Sequence, residues 1–138
     1  MARFEILREV TRLYLRQQRE AVACCDGTSV TQCWIVTELG LSGAMTLGDL
    51  AAAVGFDKSW TSRTVDSLVA AGVIEKKSDA DDARKIRITL TRKGEKRYEA
   101  LSDALNAHAR GVLARIPARQ RRHVEQALAA LHGALHEH

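Results

Sequence analysis

No run of about 18 apolar residues, the length needed to cross a bilayer, occurs in this 138-residue chain. The amino terminus carries Glu5 and Glu9 among its arginines and is not a signal peptide. These two absences lead us to expect a cytoplasmic protein with no membrane partner. A phosphate-binding glycine loop, a C-x-x-C redox pair and a paired acid and base are missing as well, which argues against an enzyme and against a catalytic cofactor. A thiol-dependent reductase is the weakest of the readings considered. There is one proline, and no internal repeat or low-complexity linker, so residues 1–138 read as a single domain. Three cysteines in a reducing compartment suit thiols or ligands better than a disulfide framework.

Excess charge is also scarce where it would be most informative. The whole chain has a net charge of +4 and a pI near 9.2, which permits a polyanionic partner. Between Met45 and Thr91, however, seven basic residues meet seven acidic ones. Affinity for nucleic acid in that stretch would have to come from where the charges point.

Residues 3–22 place Phe4, Leu7, Val10, Leu13 and Tyr14 at helical spacing, giving an amphipathic helix whose apolar face needs a partner from the carboxyl-terminal helices or another chain. Asp26-Gly27 signals a turn. A second helix follows, capped by Thr28 or Ser29, with Val30, Trp34, Ile35, Thr37 and Leu39 leading to an end at Gly40. Thr46 caps a short helix with Leu47, Leu50, Ala51 and Val54 on its inner face, and Gly55 ends it. The next helix starts near Asp57 and runs to Ala71. Its Thr61, Val65 and Leu68 face inward, leaving Lys58, Ser59, Trp60, Ser62, Arg63, Asp66 and Ser67 outside.

Gly72 suits a left-handed cap. Val73–Lys77 and Lys85–Leu90 then read as two strands joined by a polar loop, with Thr91 opening another helix through Tyr98, Leu101, Leu105 and Val112. Pro117 breaks that helix, and a last one carries Val124, Leu128, Leu131 and Leu135. The fold class is mainly α with a two-stranded β-wing: a winged helix-turn-helix at 28–91, counting its preceding helix, flanked by helices at 1–22 and 92–138.

Thr46-Leu47-Gly48-Asp49-Leu50-Ala51, Leu68-Val69-Ala70-Ala71-Gly72-Val73-Ile74, and Asp82-Ala83-Arg84 followed by Leu90-Thr91-Arg92-Lys93-Gly94 resemble the MarR family of bacterial transcription regulators. The resemblance covers essentially the whole chain. It implies a homodimer with interlocked terminal helices, reading a pseudo-palindromic operator in double-stranded DNA. By the same resemblance, Lys58, Ser59, Trp60, Ser62, Arg63 and Ser67 form the major-groove face. Arg63 could contact guanine in bidentate fashion, and Arg84 could enter the minor groove with Asp82 holding it in position. Trp60 has an alternative, packing back against the wing or a neighbouring helix. Asp79 and Asp81, which would repel phosphates, shape the loop or face solvent.

The family pattern does not require Cys24, Cys25 and Cys33. Adjacent cysteines seldom bond to each other, but two thiolates and a third from the next helix form a soft, sulfur-only site. Neighbours on a regular helix point about 100° apart, so joint chelation requires the first helix to end near Cys24. Trivalent antimony or arsenic, organoarsenicals included, suits three sulfurs, and the chain resembles the MarR-type repressors that respond to such metalloids. Zinc with a fourth ligand such as His132 or His136, thiol oxidation, a small phenolic effector, and burial of the cysteines as small apolar residues remain alternatives.

Overall fold

The computed structural model describes residues 2–22 and 29–137. The described elements are α1 (Arg3–Val22), α2 (Val30–Ser42), β1 (Met45–Thr46), α3 (Leu47–Val54), α4 (Lys58–Ala70), β2 (Ile74–Ser78), β3 (Ile86–Leu90), α5 (Arg92–Ala114) and α6 (Ala118–His136). Two compact units emerge, Met1–Leu105 and Asn106–His138, and α5 contributes to both. No described helix is long and apolar enough to cross a membrane.

In the first unit α2 is the central helix. Cys33, Ile35, Val36 and Leu39 are all buried, so it is apolar on more than one face, as a helix enclosed by others must be. It packs against α3, α4 and β3. Leu50 from α3, Val65 and Leu68 from α4, Ile74 and Ile88 from the sheet and Leu101 from α5 complete the core. Full burial of side chains of this kind stabilises by about 1.5–3 kcal/mol each.

The helix does not end at Gly40. It continues to Ser42 and is capped by Gly43, with φ +78° and an N–H bonded to the Leu39 carbonyl at 2.9 Å. Gly40 answers a packing demand instead, because a Cβ there would collide with the ring of Tyr98 on α5. The amino-terminal cap is Ser29, whose hydroxyl accepts from the Gln32 amide at 3.2 Å.

The sheet has the order β1-β3-β2 and is antiparallel throughout. A two-residue strand therefore joins the expected pair, through Met45 opposite Ile88 and Thr46 opposite Arg87. Thr46 turns at once from strand to cap, accepting from the Asp49 amide at 3.2 Å. At the far end of α4, Gly72 has φ +74°. Its N–H meets the Val69 carbonyl and the Val73 N–H meets that of Leu68, both at 3.0 Å, a Schellman closure of the helix.

Thr91 ties this corner to α5. Its hydroxyl donates to the Gly72 carbonyl at 2.6 Å and accepts from the Gly94 amide at 3.1 Å, while its own N–H meets the Val73 carbonyl at 3.0 Å. Lys93 donates to the Ala71 carbonyl at 2.9 Å, adding a cation to the α4 carboxyl end.

In the second unit, the break at Pro117 is held by Arg121, which donates to the carbonyls of Ile116 and Ala114 at 2.9 Å each. No described residue of α6 is fully buried, and Leu128 and Leu135 are exposed. In the first unit, α1 likewise exposes Phe4, Ile6, Leu7 and Val10.

Candidate nucleic-acid interface and cysteine cavity

Asp57 opens α4 by accepting from the Trp60 amide at 2.7 Å. This cap fixes the first turn, where Lys58, Ser59 and Arg63 are exposed and Ser62 is half-buried. The Arg63 guanidinium donates to the Ser59 hydroxyl at 3.3 Å, one turn back along the same face. Thr61 lies inside, donating to the Asp57 carbonyl at 2.8 Å. Ser67 is exposed and accepts from Gln32 at 3.5 Å.

Trp60 does not project into solvent. It is half-buried, its ring centroid 4.4 Å from that of Phe56, and Phe56 in turn stacks on Trp34 at 5.6 Å. A helical wheel places Trp60 outside because it sees only α4. The partner ring comes from the turn before the helix, and the ring beyond it from α2.

The wing closes where the Asp79 amide meets the Lys85 carbonyl at 2.8 Å. The Asp79 carboxylate accepts from the Asp81 amide and from the Arg87 guanidinium, both at 3.0 Å, and these bonds hold its carboxyl below the usual carboxylate range. Asp79 therefore shapes the loop. The Asp82 carboxylate accepts from the Arg84 backbone amide at 3.0 Å. Arg84 itself is exposed at the tip.

Local pairing sorts out the balanced charges of this stretch. Lys76 pairs with Asp66 at 2.8 Å, Lys77 with Glu75 at 3.2 Å and Arg87 with Asp79 at 3.0 Å. Lys58, Arg63, Arg84 and Lys85 belong to none of these pairs and are exposed. These four cations stand on the first two turns of α4 and at the wing tip, where Asp57, Asp81 and Asp82 also lie, so the stretch stays neutral and the direction of each side chain matters.

Cys33 is buried, its Sγ 3.9 Å from the Thr37 hydroxyl. It lines a cavity of about 100 Å³ shared with Gln18, Arg19 and Val22 of α1, Trp34 and Thr37 of α2, and Leu105 of α5. Nothing in the sequence alone pointed to Gln18 and Arg19, which read as part of the polar face of α1. Trp34 also walls a second hollow of about 290 Å³, formed with Thr37, Glu38, Ala53 and Val54.

Cys24 and Cys25 lie outside the described residues. Among the described residues, no three His, Cys, Asp or Glu side chains are grouped to hold a metal ion. In the second unit, the rings of His132 and His136 stand 4.2 Å apart, and His136 Nδ1 lies 2.9 Å from the His132 carbonyl.

Residues 26–85 match the sequence profile of the MarR family. The chain is 32% identical over 94 residues to the HTH-type transcriptional regulator BilQ of Clostridium symbiosum, a match covering 68% of this chain and 62% of that relative. The fold is shared with wild-type MarR from E. coli, at a TM-score of 0.82 and 17% identity over 95% of this chain and 97% of that one. It is shared too with MepR, a transcription regulator of the Staphylococcus aureus multidrug efflux pump MepA. There the TM-score is 0.80, with 17% identity over 98% of this chain and 99% of the other. Over residues 26–85 the chain is similar to the MarR family, and it has the winged-helix fold of the solved MarR-type regulators.

Proposed function

We propose that the protein is a dimeric DNA-binding repressor that leaves its operator when a trivalent metalloid is held by Cys24, Cys25 and Cys33. Residues 28–91 serve as the reading head with its preceding helix, and 1–22 and 92–138 as dimerisation helices. The exposed apolar side chains Phe4, Ile6, Leu7 and Val10 of α1, and Leu128 and Leu135 of α6, support pairing with a second copy. Two-fold half-sites in DNA lie about 34–36 Å apart, and paired helices would set that spacing. The start of α4 and Arg84 supply the cationic groups for the two grooves.

The observation that carries the metalloid reading is the position of Cys33. Its side chain lines the same cavity as Val22, the last residue of α1, and Cys24-Cys25 follow Val22 directly after Ala23 in the chain. A sulfur-only ligand set in that region favours thiophilic centres. Binding there must prefer a head arrangement that fits DNA poorly, since equal affinity for both arrangements would shift nothing.

A mobility-shift titration with antimonite, methylarsenite and arsenite tests this reading. Release is expected near one metalloid per site, and loss of release in Cys24→Ser, Cys25→Ser and Cys33→Ser. Retention of DNA by the wild-type protein at stoichiometric metalloid would sink it. The cavity itself favours a second reading, a small aromatic acid such as a phenolic acid, because Arg19 and Trp34 line one space. Induction by that ligand would survive all three serine substitutions.

A further inference from the structure

Trp34 and Thr37 wall both the Cys33 cavity and the outer hollow beside α3, and Trp34 is the one of the two that carries a ring. The two differ in size, about 100 Å³ inside and about 290 Å³ outside. The inner space is smaller than an engineered cavity of roughly 150 Å³ that accommodates benzene, so most occupants must move a wall. Val22 and Cys33 are buried in the core and resist displacement. Trp34 is half-buried, with open space behind it.

The indole is also the first of three rings in contact, the first pair stacked and the second tilted. Trp34 lies against Phe56, and Phe56 against Trp60 in the first turn of α4. Phe56 sits in a tight turn, its N–H bonded to the Ala51 carbonyl at 3.2 Å after Gly55 at φ +78°. The next residue, Asp57, is the cap of α4. Movement of Phe56 therefore cannot be absorbed by slack chain before it reaches the turn that carries Ser59 and Arg63.

We infer that Trp34, Phe56 and Trp60 act as a mechanical relay. An occupant of the Cys33 cavity turns the Trp34 indole toward the outer hollow, carries the contacting Phe56 ring with it, and so displaces the first turn of α4. This rests on the reading above that the Cys33 cavity is where the effector acts. It adds a route within one protomer from that cavity to the DNA-facing turn.

The test uses the full-length protein and a duplex that it selects from a randomised pool. Antimonite should weaken duplex binding by the wild-type protein to an extent typical of allosteric coupling, roughly 5- to 150-fold, with a change in tryptophan emission. Phe56→Leu should bind antimonite with the same stoichiometry and the duplex with the same affinity, yet lose the coupling. Phe56→Tyr, which keeps the ring, should retain it. Cys33→Met, an occupant supplied by the protein itself, should weaken duplex binding without metalloid, and Phe56→Leu in that background should restore it. Thermal melts establish that each variant is folded, and Cys33→Leu replaces Cys33→Met if the latter is not.

Equal release of wild type and Phe56→Leu by antimonite would overturn the relay while leaving the metalloid reading in place. A silent antimonite titration, together with a Cys33→Met defect that Phe56→Leu repairs, would overturn the metalloid reading and support the relay. Folded cavity-filling variants with wild-type duplex affinity would overturn the relay.

Discussion

Gly94→Ala should destabilise the protein although it replaces glycine by the best helix former inside a helix. A Cβ at this position would run into the Val73 carbonyl and crowd Leu90. That carbonyl is not free to retreat, because it accepts the Thr91 N–H at 3.0 Å and the Thr91 hydroxyl at 3.1 Å. Overpacking of a fixed neighbour costs about 1–3 kcal/mol, and loss of one hydrogen bond adds about 0.5–1.5 kcal/mol. The better helix propensity of alanine returns about 1 kcal/mol. The net loss is roughly 0.5–3.5 kcal/mol, which at a urea slope of about 2 kcal/mol/M moves the midpoint down by about 0.3–1.8 M.

Gly48→Ala is the control. Gly48 is also helical, and nothing lies within 4 Å of where a Cβ would stand. The same substitution there should stabilise by up to about 1 kcal/mol. Urea denaturation of the three proteins at equal concentration, so that any association contributes equally, reads the contrast. A Gly94→Ala midpoint equal to or above that of the wild type would refute the reasoning.

Arg84→Ala should weaken binding most on duplexes with a narrow, A/T-rich minor groove beside the half-site, whereas Arg63→Ala should cost about 1–3 kcal/mol at the guanine it contacts in the selected sequence; binding isotherms on duplexes varied at the two places separate them. The Asp79 carboxyl is held below its ordinary range, chiefly by the Asp81 amide and then by Arg87, so its contribution to wing order is complete above the usual Asp value, near pH 4, and is lost as pH falls through the lower folded value. Protection of the Asp81 amide against hydrogen exchange, taken relative to the intrinsic rate at each pH, should therefore fall only in acid, and Asp79→Asn should show low protection at neutral pH with no such acid transition.

Local signals proved readable where the cause was local. Thr46 and Asp57 cap their helices as residues of their type do, and the Thr61, Val65, Leu68 stripe faces the core. Gly40 misleads because its reason is the Tyr98 ring, which no window around residue 40 contains. Trp60 is ambiguous on a wheel because Phe56 reaches it from the turn outside the helix. β1 is two residues long and has no periodicity to read. Asp82 is correctly placed beside Arg84, but spacing alone cannot choose between a backbone and a side-chain partner. The Cys33 cavity needs three helices to be brought together, and only its thiol was conspicuous in the sequence.

The Thr91 corner has a consequence for how such a protein can diversify. Because it fastens the end of α4, the base of the wing and the start of α5 at one point, changes of length near Gly72 or Thr91 would shift all three together. Between the Asp79 and Lys85 backbone bond and the tip, by contrast, residues 80–84 carry exposed side chains apart from Asp82. Insertions and new sequence preferences can accumulate there while the spacing between α4 and the wing base is inherited unchanged.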